Sequence, residues 1–170
     1  PDLLELLYSK HRNNSWVLPH CLSPTPFVQV VNFDAARYLS GIILEGKTKP
    51  SRLNRNMTKF PLMDFEREMQ VQCFPLYSVL KAMGKPKVDY FSLDIEGAEF
   101  AVLNTIPWKD VDIDVLGVEV NHAGDIFDGS RDDIADLLYE HEYKYMGRTK
   151  IDDFYMKNNR NERQRTNEEL

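Results

Sequence analysis

The sequence predicts an α/β domain: a mostly parallel sheet closed by a C-terminal antiparallel hairpin. Val88 to Leu93 is a nearly continuous apolar run, as expected for a strand buried on both faces, and it turns within Asp94 to Gly97 into a helix read from Ala98 to Thr105. Pro75 to Met83 reads as another helix, with Pro75 in its first turn, Leu76, Val79, Leu80 and Met83 on one face, and Gly84 at its end. Residues 75 to 103 are therefore helix–strand–helix, the repeating unit of a doubly wound sheet. Val115 to Val120 supplies a second core strand, apolar apart from Glu119.

The remaining elements follow in order. Leu3, Leu4 and Leu7 share a face of a helix from Asp2 to Lys10, with Asp2 early and Lys10, His11 and Arg12 late, as the helix dipole favours. Ser15 to Leu22 is expected to be a strand despite Pro19. After the turn Ser23–Pro26, Phe27 to Phe33 is the clearest β segment upstream of the central strand. Glu68 to Cys73 is a short strand suited to pair with it. Between them, Ala35 to Phe65 is expected as a long connection, with Gly41, Gly46, Pro50 and Pro61 and the cations Lys47, Lys49, Arg52, Arg55 and Lys59. Those cations form a solvated face or meet an anionic partner. Ser130 opens a further helix with Asp133 as its capping-box partner. Tyr143–Met146 and Asp153–Met156 flank a turn and make the hairpin. The domain is expected to span residues 1–157, and 158–170, almost without apolar residues, to be a disordered polar tail.

At 170 residues, 42% of them hydrophobic, one domain with a substantial core is the natural reading. The net charge of −6 argues against nucleic acid as the main partner. No run reaches the length of a membrane span, and no signal-like segment is present. The chain opens on Pro1 and reads as a piece of something longer. Cys21 and Cys73 lack the spacing of a zinc site. They read as two buried free thiols, with a Cys21–Cys73 disulfide the alternative in an oxidising compartment. Asn13 and Asn56 begin sequons that permit such a setting.

The candidate site lies at the C-terminal edge of the two core strands, where open α/β sheets bind ligands. Asp94 and Glu96 follow the first; Glu119, Asn121 and His122 end the second. The plainer reading is that Asp94 and Glu96 only cap the helix and His122 is a surface histidine. A minor alternative gives Asp94, Glu119 and Asn121 to Mg²⁺, although no metal site is expected. No Gly-rich phosphate loop, HExxH or GxSxG motif occurs.

Asp94-Ile95-Glu96-Gly97-Ala98-Glu99 resembles the DxEGAE segment of the FkbM-type methyltransferases. The flanks Val71–Leu76 and Ile106-Pro107-Trp108 are similar to the arthropod branch related to the membrane protein Star. The resemblance, from about Pro1 to Lys157, implies a partial Rossmann-like fold that uses S-adenosylmethionine, with transfer to oxygen on a small hydroxylated or carbohydrate-like substrate. It places Asp94, Glu96 and His122 in catalysis, Asp94 also beside the cofactor, and Cys21, Leu22 and Ser23 at the strand end that reaches the adenine. The alternative it implies is non-catalytic: a membrane-associated factor of the endoplasmic reticulum, Golgi and endosome that assists export of growth-factor precursors. Its partner would be a membrane cargo protein, and its membrane contact would run through a segment not in this chain. The family's Gly-rich turn and second-strand carboxylate would lie upstream of Pro1. The chain alone is thus expected not to bind S-adenosylmethionine measurably, to lack strands between the one near Trp16 and Val88–Leu93, and to be poorly stable.

Overall fold

The computed structural model describes residues 15, 17–34, 41–43, 68–85, 87–125 and 127–158. The expected helix at 2–10, both sequon asparagines, the basic run and the tail from 159 onward lie outside them. The described elements are β1 (Cys21–Leu22), β2 (Gln29–Asp34), β3 (Gly41–Ile43), β4 (Glu68–Phe74), α1 (Leu76–Ala82), β5 (Lys87–Leu93), α2 (Glu99–Asn104), β6 (Asp112–Glu119), α3 (Arg131–Glu140), β7 (Tyr143–Arg148) and β8 (Asp152–Lys157). They form two four-stranded sheets, ordered β1-β4-β2-β3 and β5-β6-β8-β7.

The second sheet positions the candidate site. β5 and β6 are parallel neighbours, from Lys87↔Asp112 to Leu93↔Val118, joined through α2. A parallel pair needs such a crossover. β8 runs antiparallel to β6, and β7 antiparallel to β8, so the expected hairpin sits at the sheet edge. Its register shifts between Tyr145 and Gly147. Leu93, Val102, Leu103, Leu116, Val118, Ile134, Leu138 and Tyr155 belong to one buried cluster, each at most 1% exposed. Burying each aliphatic side chain contributes about 1.5–3 kcal/mol. Tyr143 is also buried, and its hydroxyl donates to the Ile113 carbonyl at 2.7 Å.

Several expectations require correction. The sheets are mixed: only β1–β4 and β5–β6 are parallel among the described pairs. The short turn between β7 and β8 favours their antiparallel pairing. β5 is not buried on both faces. Among the described strands it lies at the sheet edge, and Tyr90, on the face opposite the core, is 52% exposed with its ring over Gly117. Among the described residues of the strand expected at Ser15–Leu22, only Cys21–Leu22 is extended in a sheet, after Pro19 withdraws its donor. Gly41–Ile43 lies within the expected long connection yet pairs with β2. Three residues are too few to show a period.

Cys21 and Cys73 are disulfide-bonded, not free. They face each other in register across β1 and β4, with Cα atoms 4.4 Å apart, within the range a disulfide spans. β2 pairs with β4 as expected, from Gln29↔Cys73 to Asp34↔Glu68.

Candidate active site

The turn from β5 into α2 is built by its own acidic residues. Glu96 takes a left-handed backbone, φ 59°, and Gly97 follows at φ 103°. A non-glycine residue in that region costs on the order of 1–3 kcal/mol and occurs where surrounding contacts hold it. Those contacts come from Glu99. Its carboxylate, 1% exposed, accepts from the Ile95 amide at 2.8 Å and the Gly97 amide at 3.0 Å. Burial raises the Glu99 pKa, against the lowering effect of those amides. Glu99 thus serves the turn rather than a ligand.

Gly97 also brings the turn against the segment after β6. A Cβ there would stand 3.0 Å from the His122 carbonyl oxygen. The chain leaves β6 at Glu119 and turns through residues 121–125, with the Asp125 amide donating to the His122 carbonyl at 3.1 Å.

Across this junction the expected site residues meet. His122 Nε2 lies 3.7 Å from Glu96 Oε2, and His122 Nδ1 lies 2.9 Å from Asp125 Oδ2. The Asn121 amide nitrogen is 3.4 Å from His122 Nε2. A neutral imidazole with its proton on Nδ1 satisfies both neighbours: Nδ1–H donates to Asp125, and Nε2 accepts from Asn121. Nε2 is then the basic nitrogen, facing Glu96. Asp94, solvent-exposed, completes the edge.

Glu119 lies behind this group and is only 4% exposed. Its Oε2 is buried without a hydrogen-bond partner among the described residues. Burial first, then the charges of Asp94, Glu99 and Glu96, push its pKa up to about 7, against the opposing effect of His122. One titratable carboxyl therefore sits in a field of three others. Among the described residues no three His, Cys, Asp or Glu side chains are arranged to hold a metal ion.

Cys21, Leu22 and Ser23 lie in the other sheet or directly after it. Cys21 Sγ is committed to the disulfide, and Leu22 packs against the main core. Ser23 is fully buried; its hydroxyl donates to the Phe27 carbonyl at 2.8 Å and accepts from Gln29 Nε2 at 3.0 Å. What this segment can offer a ligand is backbone and the Leu22 side chain. A separate groove of about 1170 Å³ opens at the opposite end of the sheet, among Lys87, Trp108, Asp112 and His141.

Sequence reasoning missed the roles of Glu99 and Asp125. Glu99 resembled a residue placed for the helix dipole, and its turn back onto Ile95 follows only from the left-handed Glu96. Asp125 stood three residues after His122, a spacing that one turn of chain brings into contact. Glu119 carried a visible signal, a charge inside an apolar strand.

Carboxylates and an oriented imidazole are thus gathered at the C-terminal edge of the two parallel strands. The model of the methyltransferase FkbM domain matches residues 25–145, and the chain belongs to that family. No curated protein and no solved structure matches it.

Proposed function

We propose that this domain transfers a methyl group from S-adenosylmethionine to a hydroxyl of a small, carbohydrate-like acceptor, with the second sheet forming the C-terminal half of a Rossmann-like fold. The observation that carries the reading is the meeting of Glu96, His122 and Asp125 beside Asp94 and the buried Glu119. Family membership implies methyl transfer. The residues present fit a sulfonium-bearing donor, because exposed and buried carboxylates flank one edge and Glu119 Oε2 is buried without a hydrogen-bond partner among the described residues. When bound, the donor supplies an electrophilic methyl carbon.

The chain's own groups do the rest. Asp94 and Glu96 face the donor's positive end, and the backbone at Leu22–Ser23 borders the adenine. His122 Nε2 takes the acceptor's proton. Asp125 holds the ring and stabilises the imidazolium that results, as a carboxylate does for a histidine base. Replacing His122 by Ala is expected to lower kcat by about 10²–10⁴-fold with the donor's Kd changed little. Equal loss of donor binding and turnover would assign His122 to binding instead.

A second reading keeps the domain as a non-catalytic binding platform in the secretory pathway. The Cys21–Cys73 disulfide supports it, since such bonds persist in oxidising compartments. Donor-dependent methylation of any hydroxylated acceptor would remove this reading.

A further inference from the structure

Glu119 is the group that the proposed chemistry leaves unused. It ends β6, is 4% exposed, and has one carboxylate oxygen buried without a hydrogen-bond partner among the described residues. The charged groups facing it are Asp94, Glu96 and Glu99 from the turn into α2 and His122 from its own strand's exit. On β8 its register partner is Asp152, whose carboxylate is engaged by Thr149 Oγ1 at 3.3 Å. These are three carboxyl groups and one histidine that is cationic only when protonated, so with His122 neutral a site made of these groups lacks a compensating positive charge.

We infer that Glu119 is a charge sensor for the methyl donor: seating a sulfonium at this edge expels a proton from Glu119, and the carboxyl recovers a proton once the methyl has left. This rests on the methyltransferase reading and extends it to how donor and product are told apart. Donor and demethylated product differ by one positive charge and one methyl group. A neutral Glu119 is indifferent to that charge, whereas an ionised one favours it. In the transfer step the acceptor oxygen gains the methyl carbon as the carbon–sulfur bond breaks. The electron pair stays on sulfur, which becomes a neutral thioether, and the hydroxyl proton goes to His122. With the positive charge gone, Glu119 is again hard to ionise and takes that proton, returning His122 to its basic form. The proton lost at donor binding balances the one gained in transfer. The neutral product then faces a neutral carboxyl and leaves more readily.

The position of the Glu119 titration, about 7, sets the size of the effect. Linkage makes S-adenosylmethionine bind about tenfold tighter at pH 8 than at pH 6, and S-adenosylhomocysteine about equally at both. Calorimetric titration of each ligand into the full-length protein, in two buffers of different ionisation enthalpy, reads the proton directly. The expected result at pH 7 is release of about half a proton with the donor and none with the product. In the Glu119→Gln variant the donor's affinity becomes flat with pH. Because that variant alters a buried group, carboxyl-carbon NMR of the wild-type protein provides an independent readout. One glutamate should titrate near neutrality and shift to lower pH with the donor only. Donor binding without proton release, or equal pH slopes for both ligands, would overturn the inference while leaving the methyltransferase reading intact. Failure of both ligands to bind would overturn that reading, and this inference with it.

Discussion

Gly97 is the residue at which the two halves of the site are fitted together. Its positive φ and its 3.0 Å Cβ clearance from the His122 carbonyl act at one position. Gly84 separates these effects, since its φ is also positive, 65°, with nothing within 4 Å of a Cβ. Gly84→Ala is expected to cost about 1 kcal/mol in urea denaturation, from backbone strain alone. Gly97→Ala should cost about 2 kcal/mol or more, because contact with His122 is added. Equal losses would mean that the junction is loose. Glu119 gives a second residue-scale test. Its folded pKa of about 7 lies above the usual carboxylate value, so the folded state binds more protons there than the unfolded chain does. Its contribution is complete at acid pH and is lost as pH rises towards and through about 7, by roughly 3 kcal/mol. Glu119→Gln should flatten that slope and stabilise the protein at pH 8; an unchanged slope would place the titration elsewhere, Glu99 being the nearest candidate.

At the scale of elements, α3 was legible almost residue by residue. Ser130 Oγ accepts from the Asp133 amide, and the Asp133 carboxylate accepts from the Ser130 amide at 2.7 Å, the box read from Ser-x-x-Asp. Ser130→Ala is expected to cost about 1 kcal/mol of stability by thermal denaturation. No loss would show that α3 is held by packing alone. β5, α2, β6 and the hairpin were legible because their apolar residues keep one period over enough positions. β3 was not, being three residues among glycine and charge. The site divided in the same way. Asp94, Glu96 and His122 could be placed at one edge from strand polarity alone. The clamp by Glu99 and the contact from Asp125 depend on backbone angles after Glu96 and Asn121, which no periodicity encodes.

For the whole molecule, the two sheets are stabilised differently. The second has the large buried cluster; the first has the Cys21–Cys73 bond between residues 52 apart in sequence. Closing a loop of that length contributes about 4 kcal/mol in the chain-entropy account. A reducing agent should therefore lower Tm clearly. An unchanged Tm would show that the bond contributes little. Free thiols were expected because the sequence does not reveal that β1 and β4 align in register at these two positions. The central claim, that this edge receives a sulfonium donor, is tested most directly by isothermal titration of S-adenosylmethionine into the full-length protein and its Glu96→Gln variant. Saturable binding by the wild type and at least tenfold weaker binding by the variant, about 1.4 kcal/mol, is the predicted result. No binding by the wild type, or equal binding by both, would contradict it.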